Sequence, residues 1–312
     1  MTFFWAGSPR DMKLRYQADR LERLPALDGL ARAVEGFWSR ALPTGKARDV
    51  LHGTWLGHPL HPMLTDVAIG CWTSAAALDL VGGEETRRAS QRLIAAGVLA
   101  AGPTAASGAA DWLALGEATK PKRLGAVHAV ANGTATVLYA ASWLSRRHGH
   151  HRRGVALSTA ATALAGAGGY LGGHLAFRNA VGADRNADHA GVEDWTDVGN
   201  LRDLPMRRPV RRTVGGEDLL VYRIGSTVRV LAATCSHLGG PLEQGSVEDE
   251  CVTCPWHGST FALTDGAVVS GPATHPQPAY DVRVVGRTVQ VRLRRDPAEQ
   301  ETNAEVAPQT VT

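Results

Sequence analysis

Two short stretches of the chain bring together residue types that bind transition metals. One runs Cys235-Ser-His237-Leu-Gly239-Gly240, and the other, 16 residues after His237, runs Cys254-Pro-Trp-His257-Gly258-Ser259. The pattern is C-x-H followed by C-x2-H. Two cysteines and two histidines suit a structural zinc, although a one-residue gap is tight for ligands that usually stand two to four apart. A binuclear iron cluster accounts for the gaps better. In it two thiolates hold one iron and two imidazoles hold the other, so each stretch sends one ligand to each metal. Gly239, Gly240 and Gly258 would let both loops approach such a cluster closely.

With their flanking strands these motifs resemble the Rieske [2Fe-2S] family over residues 196–294, in family order. The resemblance implies that Cys235 and Cys254 ligate one iron and His237 and His257 the other. It also implies a one-electron carrier whose imidazoles sit at an exposed tip. High-potential members of the cytochrome complexes carry two further cysteines that form a disulfide clamp, where this chain has Gly240 and Trp256. Their cluster also receives hydrogen bonds from a serine and a tyrosine hydroxyl; Ser259 is kept, but Phe261 stands at the tyrosine position. Fewer hydrogen bonds to the sulfurs imply a lower potential, closer to the ferredoxin and oxygenase-type modules. Oxygenase subunits add a mononuclear iron site of two histidines and a carboxylate downstream. Only 19 residues follow Leu293 and none is a histidine, so no complete oxygenase site is expected in this chain. Cys251 is read as a free loop thiol, Cys71 as a packing residue and His275 as an ordinary loop residue.

A second group of ionisable residues lies among apolar stretches. Gly57-His58-Pro59-Leu60-His61-Pro62 opens the first of four stretches, residues 62–82, 93–115, 124–145 and 154–176. Each is 21 to 23 residues long, and together they hold three charges, Asp66, Asp79 and Asp111, with no Lys or Arg. That length crosses a hydrocarbon layer of ~30 Å, and the Ala, Gly, Ser and Thr content suits close helix packing in lipid. An Ala-rich soluble bundle is the alternative, but it would show a polar stripe on each helix. Alternating spans would gather His58, His61, Asp66, Asp111, His128 and His174 at the membrane face from which the Rieske module emerges. Three readings stay open for this set: a haem b held by two imidazoles, a quinone or proton site, and helix ends that hydrogen-bond one another. The opening motif resembles a bacterial four-helix membrane-domain family of undefined function that occurs fused to Rieske modules.

These sites need elements to hold them. Residues 1–50 read as amphipathic helices broken near Pro25, residues 51–178 as the four-helix membrane domain, and 179–200 as a linker. Residues 201–295 form the Rieske domain, and 296–312 a disordered tail. Residues 219–224 and 227–232 flank Gly225-Ser226, and 280–285 and 288–293 flank Gly286-Arg287; both are hairpin signals. The fold class is therefore multidomain, an all-α four-helix transmembrane domain followed by an all-β domain.

Whole-chain averages conceal this division: the 312 residues have a net charge of +3 and a mean hydropathy of −0.13. Without a concentrated basic face there is no reason to expect nucleic acid as a partner, and four cysteines are too few for a disulfide-stapled scaffold. No secretory signal peptide is evident. Basic residues near the two membrane sides number seven and eight, which orients nothing. The charged N-terminal region favours a cytoplasmic start, which with four spans also puts the Rieske module in the cytoplasm. The expected function is a multi-pass cell-membrane protein carrying single electrons between a redox partner and a quinone, haem, oxygenase or reductase. The alternative is a membrane redox or iron-sulfur sensor without electron-relay turnover.

Overall fold

The computed structural model describes residues 12–294, so the expected tail at 296–312 lies outside the described residues. The chain divides into two compact units between Ala183 and Asp184.

Among the described residues the first unit holds seven α-helices: α1 (Met12–Glu22), α2 (Asp28–Ala41), α3 (Lys46–His52), α4 (Leu60–Val81), α5 (Glu84–Leu113), α6 (Thr119–Arg147) and α7 (His151–Gly173). Pro25 opens a single 3-10 turn between α1 and α2. Gly82 and Gly83, with φ of 78° and 102°, separate α4 from α5 in a conformation that side chains resist. α4 lies along α5, α6 lies along α7, and α5 with α6 joins the two pairs. Small residues set these distances. Trp72 stacks on Tyr139 with ring centres 4.1 Å apart, and a Cβ on Gly97 would fall 2.3 Å from the Trp72 indole nitrogen. Gly125 makes the same room for Trp112. α2 packs on α6 through Asp28–Arg123 and Glu35–Lys122 ion pairs, each 2.5 Å. The amphipathic α2 thus rests on the bundle.

Where four spans were expected, α4 and α5 are long and apolar enough to cross a membrane. The interiors of α6 and α7 carry no Lys or Arg but are less apolar, with His128 and Asn132 in α6 and many Gly, Ser and Thr residues in both. Large apolar side chains nonetheless point outward along the long helices, among them Ile69, Leu80, Leu99, Val130 and Val137.

The second unit is built from three antiparallel sheets. One has the order β1-β10-β9, from β1 (Thr196–Asn200), β9 (Tyr280–Val285) and β10 (Thr288–Leu293). A second has the order β2-β3-β4, from β2 (Val210–Val214), β3 (Glu217–Ile224) and β4 (Thr227–Ala232). The third joins β5 (Ser246–Glu248), β6 (Cys251–Thr253), β7 (Thr260–Ala262) and β8 (Val268–Ser270). Ile224 pairs with Thr227 and Val285 with Thr288, so both glycine-led hairpins close in two residues as their sequences require. The run Leu219-Leu220-Val221-Tyr222 is apolar throughout because β3 lies between two cores. Leu219 and Val221 face a core with Val230, Val289 and Val291, whereas Leu220 and Tyr222 face one with Leu231, Phe261, Cys235 and Cys254. Strand alternation thus feeds both sides.

Candidate metal centre

Two loops leave this framework, one between β4 and β5 and one between β6 and β7, and both close in the same way. The Cys235 carbonyl accepts the Gly239 N–H at 2.9 Å, and the Cys235 N–H donates to the Gly240 carbonyl at 2.8 Å. The Cys254 carbonyl accepts the Gly258 N–H at 3.1 Å, and the Cys254 N–H donates to the Ser259 carbonyl at 2.8 Å. In each loop the fourth residue after the cysteine is a glycine in left-handed conformation, φ 80° at Gly239 and 76° at Gly258. A Cβ at Gly258 would meet nothing, and at Gly239 only ordinary contact at 3.9 Å. Left-handed turns thus account for Gly239 and Gly258, whereas Gly240 is needed for close approach between protein atoms. A Cβ on Gly240 would lie 2.6 Å from Cys254 Sγ and 3.2 Å from the Trp256 ring.

The loop closures direct backbone amides at sulfur. His237 and Leu238 N–H groups face Cys235 Sγ, and Trp256 and His257 N–H groups face Cys254 Sγ. The two thiols, 1% and 3% exposed, are also hydrogen-bonded to each other. The thiol donated by Cys235, together with the amides, outweighs burial and pulls Cys254 down to about 6, while sharing that proton and burial push Cys235 up. The histidines lie beside this pair, their ring centres 5.2 Å apart and their planes at 82°. Two imidazoles ligating one tetrahedral metal at about 2 Å would have ring centres roughly 5 Å apart. The donor set fits a metal shared by the imidazoles, next to one shared by the thiolates.

Polar side chains from distant segments fix the loops. Ser236 Oγ donates to the His275 carbonyl at 2.8 Å, and Asn186 Nδ2 donates to the Thr234 carbonyl at 2.9 Å. Buried Gln277, with its amide oxygen turned toward Ser236, accepts the Ser236 N–H at 2.6 Å. Ser259 is fully buried and its Oγ accepts the Ala273 N–H at 3.1 Å, which leaves the hydroxyl proton to donate elsewhere. Phe261 is equally buried, in the core shared with both cysteines. Asn186 and Gln277 escaped the sequence reading, since nothing near either in sequence marks it as a partner of a loop far along the chain, 48 residues away in the case of Asn186 and Thr234.

The other cysteines and histidines are distributed as follows. Cys251 is not in a loop but opens β6 opposite Ala262, and burial with the Asp249, Glu250 and Asp265 carboxylates pushes its thiol up. Cys71 is a free thiol on α4. The six ionisable residues expected at one membrane face do not form one cluster. His61 and His128 face each other with ring centres 6.3 Å apart, and their Nδ1 atoms lie 2.9 Å from the Thr104 carbonyl and 2.8 Å from the Gly168 carbonyl. Asp111 pairs instead with His52 at 2.7 Å, a partner the sequence reading passed over because His52 lies ahead of the opening motif. His174 turns to Asp19 and Glu22, and His58 and Asp66 are exposed.

Residues 194–282 match the family model for the Rieske [2Fe-2S] domain, and residues 57–185 match that for a predicted membrane protein (DUF2231). The anthranilate 1,2-dioxygenase ferredoxin subunit of Burkholderia cepacia is 32% identical over 104 residues, covering 33% of this chain and 96% of that one. The ferredoxin component of the naphthalene 1,2-dioxygenase system of Pseudomonas aeruginosa is 26% identical over 102 residues, 33% of this chain and 98% of that one. Among solved structures, the ferredoxin of carbazole 1,9a-dioxygenase from Nocardioides aromaticivorans IC177 is 30% identical. It covers 33% of this chain and all of that one, with a TM-score of 0.31.

Proposed function

Since the chain belongs to the Rieske [2Fe-2S] family through residues 194–282, behind a DUF2231 domain at residues 57–185, it is a Rieske-type electron carrier, and we propose that it is a membrane-held one serving an oxygenase or reductase component. The observation that carries this reading is the paired geometry of the loops: two amide-cradled thiols side by side and two imidazoles 5.2 Å apart.

When bound, the [2Fe-2S] cluster supplies a single reversible electron step. Cys235 and Cys254 would hold one iron as thiolates, and the four amides aimed at their sulfurs would offset the charge. His237 and His257 would hold the other. Beside His257 stands Trp256, 57% exposed and with its ring centre 6.2 Å from the imidazole, the side chain a docking partner would meet first. The relatives named as dioxygenase ferredoxins support an oxygenase or reductase as that partner.

The membrane attachment proposed here uses all four long helices as spans, supported by the apolar side chains turned outward along them. With both ends of a four-span domain on one side, the charged N-terminal helices and the cluster domain both lie in the cytoplasm. The reading in which the helical domain also holds a haem b narrows to His61 and His128, whose Nδ1 atoms rest on backbone carbonyls, and it requires Asn132 Nδ2, 3.4 Å from His128 Nε2, to give way. A pyridine haemochrome spectrum of detergent-purified protein tests it, and no haem absorption rejects it.

Electron paramagnetic resonance tests the main reading. Reduced full-length protein should show the rhombic signal with low average g of an imidazole-ligated [2Fe-2S] centre, altered in H237C. One bound zinc and no iron would reject it.

A further inference from the structure

One buried cluster of ligating groups lies outside the cysteine and histidine loops. Asp19 and Glu22, at i and i+3 on one face of α1, meet His174 at the end of α7, and one ligand atom from each lies within 4.8 Å of the others. His174 begins a π-helical turn, His174–Arg178, which continues α7 with wider spacing. Its side chain is 5% exposed, and its Nε2 lies 3.2 Å from Glu22 Oε1 and 3.7 Å from Asp19 Oδ1. Despite that proximity, Nε2 makes no hydrogen bond. A buried ring nitrogen aimed between two carboxylates without hydrogen-bonding either lacks the partner that burial normally demands.

A cation supplies it. Three donor atoms each about 2.1 Å from a tetrahedral zinc stand roughly 3.4 Å from one another, close to the two His174 distances. The charges also agree: two carboxylates converge there, Arg123 is turned to the Glu22 backbone carbonyl and to Asp28, and Arg178, 3.5 Å from Asp19, is on a side chain 51% exposed that can turn to solvent. Asn179 Nδ2 holds Glu22 Oε1 at 3.0 Å, which fixes that carboxylate, and Asp19 is the open side at 23% exposed. We propose that Asp19, Glu22 and His174 form a divalent transition-metal site, best matched to Zn2+, that clips α1 to the end of α7. Mixed imidazole and carboxylate donors suit such an ion better than they suit Mg2+ or Ca2+.

The test uses full-length, cluster-loaded protein in detergent, treated with a mild chelator and titrated with Zn2+ against a chromophoric zinc indicator. Iron and zinc are counted together by mass spectrometry. Wild type should retain one zinc more per chain than D19N/E22Q, with the cluster's iron and resonance signal equal in both, so zinc entering the cysteine site is recognised by lost iron. D19N alone, which removes the partly exposed ligand, should weaken zinc binding at least about 10-fold while the circular dichroism stays unchanged. Equal zinc retention in wild type and variants overturns the proposal, as does no retention by wild type. In either case His174 lies against Glu22 and Asp19 with no metal between them.

Discussion

At the scale of single residues, the electron-carrying site is tuned by what reaches sulfur. Ser259 accepts the Ala273 N–H and still has a proton to give, whereas Phe261 has no hydroxyl in the position where a tyrosine would add one. A hydrogen bond is worth about 0.5–1.5 kcal/mol net, which for a one-electron couple corresponds to roughly 20–65 mV. Ser259→Ala should lower the reduction potential by about that amount, and Phe261→Tyr should raise it, both read by redox titration of the resonance signal. A potential unmoved by Ser259→Ala would show that its proton goes elsewhere. The glycines separate two kinds of constraint. Gly258→Ala places a side chain at φ 76° with no protein atom within 4 Å of its Cβ and should cost roughly 1–2 kcal/mol while keeping the cluster. Gly240→Ala puts a methyl 2.6 Å from Cys254 Sγ and should abolish the iron and acid-labile sulfide content. Equal cluster content in the two variants would contradict the distinction.

At the scale of elements, the helical unit contains a charge pair that its sequence conceals. By sequence Asp79 is one of three acids in apolar stretches, and Arg146 is a cation between two of them. The structure joins them through bonds of 2.6 and 2.7 Å, 6% and 2% exposed, with Ser90, Ser142 and Ser158 around the guanidinium. The pair ties the end of α4 to the end of α6, and the neighbouring hydroxyls accept the remaining guanidinium protons. Removing one partner strands the other, so Asp79→Ala and Arg146→Ala should each lose about 3–5 kcal/mol of stability. Thermal melts in detergent would measure this. Replacing both partners by apolar side chains of similar length, D79L/R146M, should recover part of the loss, since a buried pair often adds little over apolar packing. Such pairings explain what could be read in advance. The hairpins at Gly225 and Gly286 and the loop motifs were legible because two-residue turns and ligand spacing are local. Asp79–Arg146, His52–Asp111 and the Asn186–Gln277 support were not, because each joins residues far apart in sequence and nothing in composition says which polar residue meets which.

At the scale of the whole molecule, the near-neutral average of the sequence divides into two units of different character. The break between Ala183 and Asp184 leaves the cluster unit with its own two cores, and with Asn186, Val192 and Gln277 on the cluster side of the break. Every side chain described above as fixing the metal loops therefore belongs to that unit, and none of its described ligands or supports comes from the helices. The helical unit instead turns Leu80 and Leu99 outward, 89% and 77% exposed, where water would be an unfavourable neighbour. A fragment spanning residues 184–294 should accordingly fold without detergent, take up iron and sulfide, and give the same resonance signal as the full chain. The full chain should follow the detergent phase in a cloud-point partition. If the fragment fails to hold a cluster while the detergent-solubilised chain does, the helices contribute to the metal site; if the full chain stays in the aqueous phase, the outward apolar faces are covered by protein rather than lipid.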